Sequence, residues 1–177
     1  GFQAGAAYAG IKTAREGQLD IAILFSEQPC VIAGAFTANK FRLQSSAEID
    51  LENNDQLDNV RGGNFHISVV NGFPFDAVLQ VYMQNGNGTI IDSLFLPGSN
   101  LMRRATLNAQ NIVVSPVPSE LLIPATPAKA ANLRKCKTLL IRPVFIMPPN
   151  PPDISILESY SFEVKIRAEL LYNVGIN

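Results

Sequence analysis

Hydrophobic and polar residues alternate in PFDAVLQVYMQNGNGTIIDSLF, residues 74–95, on both sides of a turn rich in Asn and Gly. The first run has two faces, one with Leu79, Val81 and Met83 and the other with Val78, Gln80 and Tyr82. Asn and Gly tolerate the positive φ angles that a tight hairpin turn requires. The stretch therefore predicts a β-hairpin.

Similar patterns predict further strands. The most regular is YSFEVKIRAELLYNV, residues 160–174, in which charged residues alternate with Phe162, Val164, Ile166, Ala168 and Leu170. Shorter alternating runs are AEIDLEN (47–53) and NFHISVVN (64–71), the second with Phe65, Ile67 and Val69 on one face. The apolar runs DIAILFSE (20–27), CVIAGAFTA (30–38) and TLLIRPVFIM (138–147) are typical of buried strands. Pro143 in the last run predicts an edge or a bulge.

One helix is predicted in the second half of the chain. Thr126 is a favourable N-cap, Pro127 suits the first helical position, and basic residues at the end complement the helix dipole. We expect a helix of about three turns in ATPAKAANLRKCK, residues 125–137. Residues 96–120 are expected to form a long irregular connection with one short strand at NIVVS, and residues 1–19 predict no defined element.

Strands joined by turns, with one helix late in the chain, indicate a mainly β protein. We predict an antiparallel β-sandwich, Greek-key or jelly-roll-like in its connections, with one short α-helix near residues 127–136. A chain of 177 residues buries about two thirds of the surface that its unfolded form exposes, and 47% of its residues are hydrophobic. Such a protein builds its core without metals or disulfides.

The charge distribution argues against a nucleic-acid partner. With 14 basic and 15 acidic residues the formal charge is −1, and no run of like charge exceeds Arg103-Arg104. No apolar run approaches the roughly 20 residues that span a bilayer, so we expect no transmembrane segment. The chain begins at Gly1 without a signal peptide, as expected of a processed or trimmed form.

Several polar residues could carry chemistry, but a structural role is favoured for each. His66 is the only histidine, and no motif supplies the nucleophile and acid that a catalytic base needs. Gly62-Gly63 lacks the context of a phosphate loop and predicts a turn. Cys30 and Cys136 lack a redox motif and are expected to be buried thiols. An acidic stretch could bind Ca²⁺ through its oxygen atoms, but it lacks EF-hand spacing, so a solvated strand end is favoured for its residues Asp50, Glu52, Asp55 and Asp58. We assign no catalytic residue, metal ligand or cofactor.

Aromatic residues near the hairpin are the candidate partner-binding residues. Phe73 and Phe75 flank Pro74 in NGFPFD, and Tyr82 lies in the strand that follows. Exposed rings are common at recognition surfaces, although Phe73 and Phe75 could equally fill the end of the sandwich, and core packing is favoured for them. Asn87-Gly88-Thr89 also matches a glycan acceptor sequence.

Residues 1–42 contain GFQAGAAYAGIK, LDIAILFSEQPC and AGAFTANKF. In these segments, in their order and in their spacing, the chain resembles the N-terminal part of the ornithine acetyltransferase/glutamate N-acetyltransferase family of arginine biosynthesis. The resemblance implies acetyl transfer by an internal Thr that self-cleavage frees as a new N-terminus. ATLNAQN and ATPAKAAN contain an Ala-Thr pair but lack the Gly/Met-rich stretch that precedes that Thr. No catalytic residue is therefore carried over.

Residues 43–177 contain three further blocks: LDNVRGGNFHISVVNGFPFDAVLQVYMQNGNGTIIDSLF, IPATPAKAANLRKCKTLLIRPVF and SYSFEVKIRAELLYNV. In these blocks the chain looks like the C-terminal β-domain of uncharacterised surface lipoproteins of Gram-negative bacteria. The resemblance implies a β-rich architecture and a surface location, with no assigned activity. We predict an N-terminal segment, 1–42, of open origin that contributes strands, and a β-sandwich module, 43–177.

The function we favour is that of a non-enzymatic module of a secreted or surface-anchored protein, acting in adhesion, ligand binding or assembly. Its partner would be a protein or a glycan at the cell surface, and its location the outer membrane surface, the periplasm or the exterior. One alternative is a fragment of an ornithine/glutamate N-acetyltransferase. Another is a filament or capsid-like subunit that self-associates through sheet edges by adding its final strand or its N-terminal segment to a neighbour's sheet.

Overall fold

The structure is a computed structural model that describes residues 8–15, 18–27, 40–49, 59–96, 100–147, 157 and 159–172. Side chains are described from residue 40 onward within these ranges, except those of Phe41 and Ser45. The strands are β1 (Tyr8–Arg15), β2 (Gln18–Glu27), β3 (Lys40–Arg42), β4 (Ser45–Glu48), β5 (Val60–Asn71), β6 (Asp76–Gln84), β7 (Ile90–Ser93), β8 (Leu101–Met102), β9 (Thr106–Leu107), β10 (Val113–Ser115), β11 (Val117–Pro124), β12 (Thr138–Ile146) and β13 (Phe162–Tyr172). The helix α1 spans Pro127–Lys135.

Two antiparallel sheets form the two layers of the fold. The first sheet has the order β1-β2-β13-β5-β11. The second has the order β3-β12-β6-β7, in which β4 also pairs with β12 and β8 also pairs with β6. A separate ladder joins β9 and β10. This architecture confirms the predicted antiparallel β-sandwich with one short helix.

Alternating side chains of the long strands fill the space between the sheets. The buried residues include the predicted inward rows of β5, β6 and β13, which are Phe65, Ile67, Val69, Leu79, Val81, Met83, Phe162, Val164, Ile166, Ala168 and Leu170. Aromatic rings join the layers, because Phe145 of the second sheet lies 5.4 Å from Phe162 of the first, measured between ring centroids. Apolar burial on this scale is the main stabilising term for the sandwich.

A buried amide organises the connection between β5 and β6. The Asn71 Nδ2 atom donates hydrogen bonds to Phe75 O at 2.9 Å and Arg103 O at 3.0 Å, and its Oδ1 atom accepts one from Phe73 N at 2.9 Å. These bonds satisfy three backbone groups in a region where an unpaired group is costly. Asn71 thereby fixes the path of the chain that inserts Phe73 into the core.

The glycine pair Gly62-Gly63 lies inside β5, so the predicted turn is wrong. The β5–β13 register shifts beside this pair, with Leu171 opposite Gly62 but Tyr172 opposite Val60. Gly63 has a φ of +142°, and a Cβ atom there would lie 2.1 Å from Glu169 O. Glycine is therefore used for close backbone approach next to an irregular ladder, rather than for chain reversal.

Helix α1 begins and ends close to the predicted positions. Thr126 is the N-cap, and its Oγ1 atom accepts a hydrogen bond from Lys129 N at 3.2 Å. Ala130 and Leu133 are the buried residues of the helix and pack into the core. Its polar contacts run to β7, where Lys129 Nζ bonds Ser93 O and lies 3.4 Å from Asp92 Oδ1, and Asn132 Nδ2 donates to Asp92 Oδ2 at 3.1 Å.

The structure places more strand in residues 96–120 than we predicted. Three strands, β8, β9 and β10, lie within this stretch, and β11 begins at Val117. β11 was not predicted because it contains Pro118 and Pro124. Proline lacks the N–H group that a strand donates to its neighbour, so its presence in a sequence argues against a strand. β1 lies in residues for which we predicted no element, and β4 begins at Ser45, before the predicted run. The predicted strand at 30–38 and the end of the predicted strand at 47–53 lie outside the described residues.

Pro143 lies in an interior strand, so the predicted edge position is wrong. β12 pairs with β6 on one side and with both β3 and β4 on the other. Leu43 N, in the gap between β3 and β4, donates to Pro143 O at 3.1 Å. Because the N–H and C=O groups of a residue in an antiparallel strand point to the same side, the missing N–H group of Pro143 also faces this gap. The missing donor therefore falls where the neighbouring ladder is already interrupted.

The final strand is central in the first sheet, between β2 and β5. It cannot be added to a neighbour's sheet while both of its ladders are formed, so this form of the strand-addition hypothesis is wrong. The edge strands of the first sheet are β1 and β11 within the described part of the chain. The helix of the described residues is too short and too polar to cross a membrane.

Candidate functional site

The outer face of the second sheet carries an unusual mixture of side chains. We call it the β6–β12 face and define it by the residues that alternate with the core positions, together with Leu101 of β8. Its members are Lys40, Arg42, Gln44, Ser46, Glu48, Asp76, Val78, Gln80, Tyr82, Gln84, Leu101, Thr138, Leu140, Arg142, Val144 and Ile146. Because successive side chains of a strand point to opposite faces, these residues lie away from the sandwich core.

An apolar strip crosses one end of the β6–β12 face. The ladder places Val144 between Val78 and Arg42, and Val78 pairs in turn with Leu101. Ile146 is 37% exposed and Leu101 is 44% exposed. Neighbouring apolar side chains that stay open to solvent are typical of a contact surface rather than of a solvated strand face.

Tyr82 and Arg142 form the polar centre of this face. The Arg142 guanidinium carbon lies 5.5 Å from the centroid of the Tyr82 ring, and Arg142 Nε donates to Gln44 Oε1 at 2.9 Å. Gln80 is the ladder neighbour of Arg142, and its buried Oε1 atom has no hydrogen-bond partner among the described residues. A cation held over a ring and flanked by amides gives donors and acceptors in fixed positions.

A charged rim borders the apolar strip. The ladder places Ile146 between Lys40 and Asp76. Asp76 Oδ2 lies 3.6 Å from Arg103 Nη1, and Asp76 Oδ1 accepts a hydrogen bond from Arg104 N at 2.8 Å. Lys40 and Arg42 are exposed. The rim is therefore rich in cations around a single carboxylate that is already paired.

The three predicted partner-binding residues do not lie together at the surface. Phe73 is 0% exposed and Phe75 is 3% exposed, so an exposed patch at these rings is wrong and the core-packing alternative is correct. Phe73 contacts Phe145 with 4.6 Å between ring centroids and lies 6.3 Å from Tyr160. Tyr82 is half-buried and belongs to the β6–β12 face, where a role in binding remains a prediction.

His66 lies on the outer face of the first sheet. Its Nε2 atom is 3.6 Å from Glu169 Oε2, and Arg167 lies 3.8 Å from the same oxygen. Across the sheet, the Ser68 hydroxyl donates to Glu120 at 2.7 Å. Glu169 thus lies between His66 and Arg167 on this face, and the structural role favoured for His66 stays a prediction.

Cys136 is buried at the end of α1, in agreement with the predicted thiol, and its Sγ atom donates to Thr138 O at 3.2 Å. Burial raises the pKa of this thiol to about 11, so it stays protonated and unreactive at neutral pH. Cys30 and the acidic residues 50–58 lie outside the described residues. Within the described ranges, His, Cys, Asp and Glu side chains form no group of three or more that could hold a metal ion.

Sequence reasoning missed most of the β6–β12 face. Arg142 and Gln44 are hydrogen-bonded although they are 98 residues apart in the chain. The half-exposed row Val78, Gln80 and Tyr82 was the only local signal, because an outward row with two apolar members is unusual for a solvated strand. The basic members come from β3 and β12, and no short motif links them.

The N-terminal likeness to an enzyme of arginine biosynthesis is confirmed by comparison with known proteins. The chain is 62% identical over 42 residues to the arginine biosynthesis bifunctional protein ArgJ of Dehalococcoides mccartyi and 38% identical over 52 residues to mitochondrial ArgJ of Arthroderma otae. These matches cover 24% and 28% of the chain. The matched residues make up only 10% and 11% of the two relatives. No known protein-family profile matches the chain.

The β-sandwich is similar to solved structures at very low sequence identity. A protein of Parabacteroides distasonis described as secreted matches 77% of this chain and 38% of its own with a TM-score of 0.53 and 9% identity. The K1 cleaved adhesin domain of Lys-gingipain from Porphyromonas gingivalis matches 96% of this chain and 100% of its own with a TM-score of 0.37 and 10% identity. The first likeness supports the fold alone, and the second is too weak to bear on it.

Proposed function

We propose that this chain is a non-catalytic β-sandwich module of a secreted or surface-anchored protein and that it binds a protein or glycan partner through the β6–β12 face. The observation that carries the proposal is the composition of that face. Half-buried Val78 and Val144 adjoin the Arg142–Tyr82 pair in the middle of the second sheet. Arg and Tyr are enriched among the residues that dominate binding energy at interfaces.

The opposite face of the sandwich supports this choice of surface. There Arg167 pairs with Glu169, and Glu120 accepts a hydrogen bond from the Ser68 hydroxyl. Such pairs are well solvated and contribute little to binding or stability. The β6–β12 face instead leaves the apolar side chains of Ile146 and Leu101 exposed, which is the arrangement that a partner can bury.

The location proposed for the module is supported by two likenesses. The fold resembles that of a protein described as secreted, and the C-terminal blocks resemble surface lipoproteins. Many unrelated functions share such folds, so the site rather than the architecture must support the function.

Binding assays on purified variants test the proposal. The chain, Tyr82→Ala and Arg142→Ala would be applied to an array of purified glycans and extracellular proteins, with Lys165→Ala on the opposite face as the matched control. We expect at least one ligand for which both face variants weaken binding by about tenfold, as for interface hot spots, while the control binds like the parent chain. Equal binding by all variants, or the absence of any ligand, would contradict the proposal.

A second candidate function is that of an ornithine/glutamate N-acetyltransferase fragment, favoured by the 62% identity to ArgJ over 42 residues. The match covers 10% of that enzyme, and no nucleophile is carried over from the family. Incubating the chain with N-acetylornithine and glutamate, with mass-spectrometric detection of N-acetylglutamate, separates the two functions. Turnover above a heat-denatured control would establish the enzyme and overturn the binding module.

A further inference from the structure

We infer that the partner of the β6–β12 face is an acidic polypeptide segment that also carries apolar side chains. The inference rests on the proposed function, because it specifies the chemistry of the partner at the same face. Three observations carry it: the imbalance of charge between the two outer faces, the spacing of the cations, and the apolar strip between them.

The first observation is that positive charge is concentrated on one face of a chain whose formal charge is −1. Around the apolar strip, four cations lie near one carboxylate, that of Asp76: Lys40, Arg42, Arg103 and Arg142. The other carboxylate of the face, Glu48, lies at the far end beside Thr138. The described exposed and half-buried charges of the first sheet are balanced, with Arg61, Lys165 and Arg167 against Glu120, Glu163 and Glu169. An acidic partner is therefore attracted more strongly to the β6–β12 face than to the face of the first sheet.

The second observation is the regular spacing of these groups. Lys40 and Arg42 are alternate residues of one strand, so their Cα atoms lie about 7 Å apart, and the neighbouring strand lies about 4.8 Å away. An extended polypeptide repeats its same-side residues with the same period of about 7 Å. Such a segment lying along β3 and β12 places successive carboxylates opposite successive cations. Its backbone needs no sheet edge, because side chains make the contacts.

The third observation distinguishes a polypeptide from an anionic glycan. The strip between the cations consists of aliphatic side chains, with Val144 and Ile146 next to Arg42 and Lys40 in the ladder. Aliphatic side chains of a peptide bury well against such a strip. A sugar ring stacks best on a free aromatic face, and here the Tyr82 ring already faces the Arg142 guanidinium. The face therefore suits a segment that mixes acidic and apolar residues.

The test uses a labelled peptide with three repeats of Glu-Glu-Val-Thr and its uncharged analogue with three repeats of Gln-Gln-Val-Thr. Fluorescence anisotropy measures the Kd of each for the parent chain at 50 and 300 mM NaCl. We expect the acidic peptide to bind about tenfold tighter than the analogue at low salt, and most of that preference to be lost at high salt. The double variant Lys40→Gln/Arg42→Gln should lose the preference, whereas Lys165→Gln/Arg167→Gln should stay within about twofold of the parent.

Each outcome decides the inference. Equal affinity for the two peptides, or equal loss in the control variant, overturns it. Binding of heparin or of a DNA oligonucleotide without binding of the acidic peptide also overturns it, in favour of another polyanion. A ligand from the array that needs Tyr82 and Arg142 but not Lys40, Arg42 or Arg103 overturns the inference and leaves the proposed function in place. If no face variant changes the binding of any ligand, both the inference and the proposed function are overturned. Thermal melts verify folding, and Arg103→Gln replaces the double variant if that variant unfolds.

Discussion

Two adjacent glycines in β5 differ in whether a side chain would fit at their position. A Cβ atom at Gly63 would lie 2.1 Å from Glu169 O, and the φ of +142° is unfavourable for an L-residue, whereas a Cβ atom at Gly62 would first meet Ala125 O at 3.8 Å. We predict that Gly63→Ala lowers the free energy of unfolding by about 3 kcal/mol or more, and Gly62→Ala by less than about 1 kcal/mol. Urea unfolding of the two variants measures the difference. Similar losses in both would show that the close approach to β13 is not a constraint.

At the scale of the element, Asp92 attaches α1 to β7. Burial alone would raise the pKa of Asp92, but hydrogen bonds from Asn132 and from Ser93 N, together with the charge of Lys129, outweigh burial and hold the pKa below its ordinary value. Because the folded pKa is lowered, the stabilisation is fully present above the ordinary pKa of 3.8 and is lost as the pH falls through the folded value.

We therefore predict that Asp92→Asn lowers the free energy of unfolding by about 1 kcal/mol at pH 7. This difference between variant and parent should shrink progressively below pH 3.8, as the parent carboxyl becomes protonated. Denaturant titrations from pH 7 to pH 2 measure it, with Glu120→Gln, an exposed carboxylate on the first sheet, as the control. A constant difference across this range would contradict the assigned role of the charge.

At the scale of the whole molecule, β11 is an edge strand of the first sheet among the described residues, and its backbone limits self-association. Ala125 N donates to Gly63 O at 2.9 Å, so the amides of alternate residues from Val117 to Ile123 point toward β5 and the others point outward. Of the four outward positions, Pro118 and Pro124 lack an amide hydrogen, and only Glu120 and Leu122 can donate. Proline and a charged side chain on an edge hinder pairing with another sheet.

The double substitution Pro118→Thr/Pro124→Thr should restore two edge donors and promote association. We expect the weight-average mass from light scattering to rise with concentration in this variant, while the parent chain and the control Pro116→Thr remain unchanged. Concentration-dependent association of the parent that Leu122→Lys abolishes would instead favour the sheet-edge assembly hypothesis, which the prolines argue against.

Where strands could be predicted, the reason was local. β6 and β13 alternate strictly, and alternation reports directly which side of a pleated strand is buried. β11 was missed because its two prolines occupy positions where a backbone amide would point away from β5, so no ladder hydrogen bond is lost. Which positions these are depends on the pairing with β5. The turn predicted at Gly62-Gly63 failed for a similar reason, since a glycine that makes room for a neighbouring strand looks in sequence like a glycine that makes a turn.

The candidate site was less predictable than the fold. Phe73, Phe75 and Tyr82 were identified as aromatic candidates, but residue type does not decide whether a ring fills a core or faces solvent. Asn71 and the ring of Phe145 hold Phe73 inside, whereas Tyr82 stays outside because it alternates with Val81 and Met83. The cations of the β6–β12 face are separate in the chain, and no positive face was visible until the strands were paired.

Sequence by itself determined the class of the molecule: antiparallel strands, one capped helix and a core made from alternate side chains. It could do so because the periodic pattern of burial is a property of consecutive residues. Tertiary structure alone decided which strands are neighbours, and with them the central place of β13, the open edge at β11 and the gathering of Lys40, Arg42 and Arg142 on one face. The physical reason is that strand pairing joins residues far apart in the chain, and no local pattern encodes a partner across that distance.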